Sequence, residues 1–495
     1  MTTLGRRASH SWRRLAGDRA PRHLAVVTVL STGAAAGAAA GALVAVAGPG
    51  LAIALVAATV GVFVVATMPG LMLAMYLLIP FYKGAVQPYL PIDVTVVIAS
   101  ANALQVVPML LDRRARAIPT PGLVMWFGLA ALVIAGTLWA PDQQSAFTAA
   151  ANFGLLVTIP LGAACLRVGS ELRYVKQLLW GFLAIGVVTA ILGVANISSL
   201  DRLTVLGMDT INVAAAAMLL PLVGFGFLMA QKWQSLKVLV LALAPAAALV
   251  ALASGSRGPV LTFLILMLAA GAVRATHIRV VRPRVVVGSL IVLATLVGVV
   301  TVASAMLPAT ALQRYSLFGS FLSSAVGGSS APTGDTSSEA RVRLIGVAFS
   351  IFTDHPLLGS GTAGFAALSP YYVGPLLADV YPHNSVMQFA AEYGVVGLSL
   401  FAVFVGLALT RRLPRDAAWT TARLLAMFFL LNSLLSNNVF QDRTMWGLLL
   451  LLLLARVVPA SGGAADLPVV ASPGPSARST TRPWSARSSL KPGAS

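Results

Sequence analysis

The sequence predicts an all-α polytopic membrane protein, and three observations predict it. Of its 495 residues, 58% are hydrophobic and only 10% are charged, where a soluble protein carries about 25% charged residues. Most of the apolar residues fall in runs of about 18 to 27, long enough to cross a bilayer core. Basic residues cluster in the short segments between those runs. A water-exposed shell for so long a chain needs far more polar surface, so the soluble globular class is excluded.

Lysine and arginine number 34 against 15 acidic residues, a formal charge of +19. In a soluble protein that excess suggests nucleic acid. Here the arginines sit between apolar runs, where they act as cytoplasmic anchors facing anionic lipid head groups, so the partner is membrane lipid and no nucleic acid is expected. The single cysteine, Cys165, lies in an apolar run and permits neither an internal disulfide nor a thiolate metal site.

Residues 1–23 form a basic cytoplasmic N-terminus with Arg6, Arg7, Arg13, Arg14, Arg19 and Arg22, followed by an apolar run at 24–47. Ala45, Val46 and Ala47 resemble a cleavage site and Arg13 with Arg14 a twin-arginine pair. The run exceeds the about 7 to 15 residues of a secretory leader and more runs follow, so it is read as an uncleaved first span. Further runs lie at 51–67, 70–82, 94–111, 121–139, 145–166, 175–195, 210–230, 235–253, 259–274 and 284–307, completing an N-terminal bundle over 24–307. The two pieces around Pro69 and Gly70 are short, which fits a broken or re-entrant helix. Runs at 384–409, 418–437 and 444–458 make the C-terminal transmembrane helices of 383–458. The expectation is about 12 to 14 spans. Residues 459–495, rich in Ser, Pro, Gly and Arg, are expected to be a disordered cytoplasmic tail.

Basic residues recur at every second loop: Arg113, Arg114 and Arg116; Arg167, Arg173 and Lys176; Lys232 and Lys237; Arg274, Arg279, Arg282 and Arg284; Arg411, Arg412 and Arg415. Positive-inside sorting makes these loops and both termini cytoplasmic. The remaining loops face outward, and one of them, at 308–382, is far longer than the rest. A loop of that length on a helical bundle is more often functional than incidental.

The inventory for chemistry is short. Of five histidines, only His355 and His383 fall on the outer side. No two acidic residues stand in an Asp-x-Asp arrangement and there is no His-x-x-x-His. Hard cations want clustered carboxylate oxygens, so no bound metal is expected and compensation of a phosphate falls to arginine. Arg257, in Ser254-Gly255-Ser256-Arg257-Gly258, stands where one run ends and the next begins. Alone it fits a helix-end arginine reaching to the interface. The small residues around it equally leave its guanidinium open for bidentate grip on phosphate oxygens. In the long loop, Thr336 and Glu339 have capping-box spacing, which predicts a helix start. That helix carries Arg341 and Arg343, with Leu344, Ile345, Ala348, Ile351 and Phe352 forming an apolar face expected to lie on the membrane surface. Both arginines fit contacts with lipid head groups as well as with a ligand. Gly359, Gly361 and Gly364 match a dinucleotide fingerprint literally, but no strand pattern precedes them. Their amides form either an anion-holding concavity or a plain turn. His383 and Asn384 open the next span at the outer interface; the imidazole suits proton transfer near neutral pH and suits a helix cap equally.

Taken in order, Ser-x-Ser-Arg-Gly at a span boundary, a long outer loop, an arginine-bearing loop helix, Pro-Leu-Leu-Gly-x-Gly-x-x-x-Phe, His-Asn and Glu-x-Gly-x-x-Gly resemble the bacterial O-antigen ligase and lipid-linked oligosaccharide (Wzy-like) polymerase superfamily. Asp209-Thr210-Ile211-Asn212 before an Ala-rich span is similar to that family's asparagine-containing segment. The resemblance covers roughly residues 200 to 440. It implies a C-type glycosyltransferase fold and a metal-independent, inverting transfer without cofactor. The glycan moves from a polyprenyl-diphosphate donor to an acceptor hydroxyl of a glycan, lipid or protein. The reaction lies on the outer side of the cytoplasmic membrane of a bacterium, in cell-envelope biosynthesis. It also implies catalytic roles for Arg257, Arg341 and His383, with Arg343, Asn384, Gly359, Gly361 and Asn212 near substrate. Many members carry tryptophan about four residues after the loop arginine; this chain has Ile345 and Gly346 there, so Arg343 stands beside Arg341 as the alternative counterpart. A different class also fits: a secondary transporter or flippase for a lipid-linked or anionic solute. Glu392 is then the coupling residue, since it alone among the acidic residues lies deep in a span.

Overall fold

A computed structural model describes residues 67–90, 92–107, 120–197, 203–227, 234–276, 309–326, 336–374, 381–436 and 438–456. The expected first spans at 24–47 and 51–67, the run at 284–307, the basic loop at 113–116, both ends of the chain and Lys232 lie outside them. Among the described residues there is no strand.

The first helix, α1 (Pro69–Leu77), starts on Pro69, whose missing N–H is harmless in a first turn. A single turn at Lys83–Val86 and α2 (Val94–Ala103) follow, and the segment Lys83–Tyr89 meets α2 at 103°. This bend is separate from the break expected near Pro69, whose preceding run lies outside the described residues. Next are α3 (Thr120–Ala135), α4 (Gln143–Phe153), a π turn at Gly154–Thr158, α5 (Ile159–Val168) and α6 (Leu172–Ala195). After them come α7 (Thr210–Gly226), α8 (Gln234–Ala253) and α9 (Arg257–Thr276). The long loop contains α10 (Ala309–Val326), α11 (Thr336–Asp354) and α12 (Gly364–Val373). The C-terminal helices are α13 (Ser385–Thr410), α14 (Ala417–Ser436) and α15 (Arg443–Leu454). Among the described residues, six helical stretches are long and apolar enough to cross a membrane, or seven if the bent pair counts as one. Three shorter apolar helices lie over Thr210–Gly226, Arg257–Ala269 and Arg443–Leu454.

Aromatic rings hold the centre. Trp126 and Trp446 stand 5.7 Å apart between ring centroids, with Phe153, Phe404 and Phe401 packed around them. Both indoles are fully buried and both N–H groups are used: Trp126 Nε1 donates to the Thr158 carbonyl at 3.0 Å and Trp446 Nε1 to that of Val439 at 2.7 Å. The Thr158 acceptor lies in the π turn just before Pro160, where a missing N–H loosens the helix ladder.

The two ends of the bundle differ in chemistry. One end carries Arg167, Arg173, Arg411, Arg423 and Arg456. It is laced by the Arg456 amide donating to Gly169 at 3.1 Å and by Arg411 Nη2 donating to the Ala455 carbonyl at 3.0 Å. At the other end, helices begin on carboxylate caps: Asp93 accepts from the Thr95 amide, Asp142 from Gln144 and Ser145, Asp209 from Asn212 and Asp442 from Met445. Each cap satisfies an orphan amide and sets negative charge at a helix N-terminus.

The decisive irregularity is in α13. At Gly394 the backbone turns to φ 61°, ψ −155°, a region open essentially to glycine alone. The loop at 356–362 fills the break: the amides of Val395 and Val396 donate to the carbonyls of Pro356 and Leu357, and those of Ser360 and Gly361 donate to Ala391 and Glu392. A methyl group on Gly394 would collide with the Leu357 carbonyl. The same loop is tied to α3, because the Thr362 amide donates to Gly136 at 3.2 Å and its hydroxyl to Val133 at 2.6 Å.

The loop helix α11 begins at Thr336, as its capping pattern predicts. Its apolar face corrects the expectation of a membrane-surface position. Leu344, Val347, Ala348 and Ile351 are buried against Phe365 of α12 and Ala391 of α13. The docked loop brings α12 and α13 alongside, and protein rather than lipid covers the face.

Gly394→Ala should destabilise the protein by about 1–3 kcal/mol or more. Gly346→Ala, in an exposed helical position with open space around it, should raise stability by up to about 1 kcal/mol. Thermal unfolding in detergent compares the two. Asp142 supplies a pH test: the Ser145 hydroxyl, then the Ser145 and Gln144 amides, hold its carboxyl below the usual carboxylate range. A depressed folded value means that the cap's contribution is complete above the unfolded value of about 3.9 and is lost as pH falls through the lower folded one. The melting-temperature gap between the native protein and Asp142→Ala should thus be constant near neutrality and close at strongly acid pH.

Candidate functional site

At the carboxylate-capped end the helices leave a cavity of about 990 Å³. Its wall is assembled from distant parts of the chain, including Lys83 and Asp93, Asn152 of α4, Asp209 and Asn212 of α7, and Asp442 and Arg443 at the start of α15. Lys83 Nζ pairs with Asp93 at 2.6 Å. The Arg443 guanidinium stands 5.9 Å from the centre of the Tyr76 ring. Gln388 and Glu392 on α13 line the chamber beside Asn432 of α14 and Asn438. Gln388 organises that side: its Nε2 donates to Glu392 Oε1 at 3.3 Å and to Asn438 Oδ1 at 3.4 Å, and its Oε1 accepts from the Val439 amide at 3.1 Å.

His383 stands beside this chamber. Its backbone is left-handed, with φ 55°, and its ring packs 4.4 Å from the ring of Tyr381, which lines the cavity. Asn384 is the N-cap of α13, its side-chain oxygen accepting from the Met387 amide at 3.0 Å. Asn212 donates from Nδ2 to Asp209 Oδ2 at 3.1 Å and lines the cavity.

Arg257, Arg341 and Arg343 are not part of the cavity lining. Arg257 opens α9 on a turn built by Gly255 at φ 67° and by Ser254, whose hydroxyl accepts from the Ser256 amide at 3.1 Å. It is half-buried, and its Nη1 donates to the backbone carbonyl of Arg314 on α10 at 3.3 Å. Tyr315, the next residue on α10, donates its hydroxyl to Leu252 at 3.4 Å; burial pushes its phenol up to about 12, against the opposing pull of Arg257. A second arginine, Arg314, thus stands beside Arg257. On α11, Arg341 is half-buried and Arg343 exposed. The amides of Gly359 and Gly361, both at positive φ, donate to the carbonyls of His355 and Glu392 and so build the docked turn.

Sequence reasoning missed Arg314, Lys83, Arg443 and the Gln388–Asn432–Asn438 group. One signal was present: Asn432, Asn437, Asn438, Gln441, Asp442 and Arg443 crowd into a short stretch between two apolar runs. Among the described residues no three His, Cys, Asp or Glu side chains form a metal-ligating group.

A helical bundle with arginines at one end, and at the other a polar chamber beside a docked loop, fits a multi-pass membrane protein. The family model for O-antigen ligase matches residues 238–402, about a third of the chain. That segment, α8 through the first part of α13, carries the O-antigen ligase/Wzy-like domain, and the match supports a membrane glycosyltransferase-type role as ligase or polymerase. No curated protein matches the chain.

Replacing Asp209 by Ala removes the cap of α7 and should lower stability by about 1 kcal/mol. Asp209→Asn, which keeps an acceptor for the Asn212 amide, should lose less in the same unfolding measurement.

Proposed function

We propose that this protein transfers a glycan from a polyprenyl diphosphate to an acceptor hydroxyl, with inversion, at the outer face of the cytoplasmic membrane. The observation that carries this reading is the O-antigen ligase match over residues 238–402, which encloses Arg257, Arg341 and His383. In the reaction the acceptor oxygen attacks the anomeric carbon from the face opposite the diphosphate. The carbon–oxygen bond to the diphosphate breaks, and the hydroxyl proton passes to the His383 imidazole acting as general base. Negative charge collects on the departing diphosphate. Arg257 and Arg341 meet it with fixed donors, which need no divalent ion and no cofactor. Arg343, more exposed than Arg341, is assigned to the donor's head-group side. Asn212 and Asn384 belong to the substrate wall, and Gly359 with Gly361 to the turn supporting it. The outward orientation of the chamber follows from the arginine-rich opposite end, which positive-inside sorting assigns to the cytoplasm together with both termini.

Purified protein in detergent, given a defined polyprenyl-diphosphate oligosaccharide and acceptor glycans, should release polyprenyl diphosphate and form larger glycans with no ion gradient. Arg257→Ala should lower the rate by about 10² to 10³ and His383→Asn, which keeps the left-handed bend, by about 10² to 10⁴, with unchanged melting temperatures. A folded Arg257→Ala protein with full transfer activity would overturn the reading.

A further inference from the structure

Two side-chain oxygens in the chamber wall meet no hydrogen-bond donor: Glu392 Oε2 and Asn432 Oδ1. Both residues are buried, at 0% and 2% exposure, and both line the cavity. They come from different helices, α13 and α14, so one local distortion does not account for the pair. A structural role explains only half of the Glu392 carboxylate. Its Oε1 receives Gln388 Nε2 at 3.3 Å, and the amides of Ala363 and Phe365 at the start of α12 approach the same group, yet Oε2 has no donor. Buried polar oxygens are rarely left bare, because desolvation without a partner is costly.

The chemistry of the wall narrows the ligand. An apolar group would leave both oxygens unpaired. A phosphate would set further acceptors against Glu392 and Asn432. A cation would meet Lys83 and Arg443 in the same chamber. A hydroxyl both donates and accepts, so it satisfies Glu392 Oε2 whether the carboxyl is ionised or protonated. Side-chain amides of Asn152, Asn212 and Asn438 extend the same hydroxyl-matching surface, and about 990 Å³ is ample for more than a single small polar molecule.

We propose that this chamber is a carbohydrate subsite in which Glu392 Oε2 and Asn432 Oδ1 each take a hydroxyl group of a sugar ring. The two residues are then specificity determinants rather than catalytic ones. The proposal rests on the glycosyl-transfer reading for its biological setting, but its test reads sugar binding and not transfer.

The full-length protein in detergent is screened against free oligosaccharides bearing neither lipid nor diphosphate, and a retained oligosaccharide is then titrated calorimetrically. Glu392→Gln is nearly isosteric and still offers a sugar hydroxyl a partner where Oε2 stood, an amide N–H in place of an acceptor, so it should bind within a few-fold of the native protein. Glu392→Leu, which removes both oxygens, and Asn432→Ala should each weaken the oligosaccharide at least about tenfold, a loss of 1.4 kcal/mol per factor of ten, in protein that remains folded. In the transfer assay they should raise KM more than they lower kcat. Unchanged affinity in both variants overturns the proposal, as does a native protein that retains no oligosaccharide. If Glu392→Leu fails to fold, the affinity of Asn432→Ala decides alone. Absence of transfer alongside Glu392-dependent sugar binding would instead reject the transferase reading and leave the subsite standing.

Discussion

The break of α13 at Gly394 is the constraint on which the rest depends. In a membrane bundle a helix cannot be interrupted without finding new partners for the backbone groups it releases. Here the loop at 356–362 supplies them, with four backbone hydrogen bonds across the gap. Docking has structural consequences in both directions. It ties the loop to α3 through Thr362, and it sets α12 and α13 where α11 can bury its apolar face. Without the break, Glu392 would belong to an uninterrupted helix and its main-chain carbonyl would not be available to Gly361.

The same end of the bundle is where charge is organised. Asp93, Asp142, Asp209 and Asp442 each hold the first amides of a helix. Their charge is thereby balanced by helix N-termini. Lys83 is matched to Asp93, and Arg443 lies over an aromatic ring. What the chamber offers a ligand is therefore dominated by amides, hydroxyls and one half-satisfied carboxylate rather than by bare charge. This contrasts with the turn at Arg257, where the guanidinium meets the backbone of a second arginine, Arg314.

Much of the architecture was legible in the sequence because it is local. Apolar runs gave α6, α8, α13 and α14, and capping chemistry gave the start of α11. The order of short motifs around Arg257, the loop glycines and His383 identified the domain that the family match covers. The chamber was not legible. Lys83, Asn212, Glu392, Asn432 and Arg443 are separated by tens to hundreds of positions, and only packing brings them together. The fate of the Gly359 and Gly361 amides was equally hidden: a glycine pattern states that backbone comes close to something, not that the something is the next helix. The α11 face was misplaced for the same reason, since periodicity reports that a face is apolar and is silent about whether lipid or protein covers it.

The left-handed backbone at His383 carries a further consequence. Few side chains accept that conformation, with Asn, Asp and His the most tolerant after glycine. The position therefore constrains main-chain geometry as well as the side chain. A substitution there has two separable effects, one on the bend and one on the imidazole. Asparagine would preserve the bend while deleting the imidazole, whereas a β-branched replacement would disturb both at once.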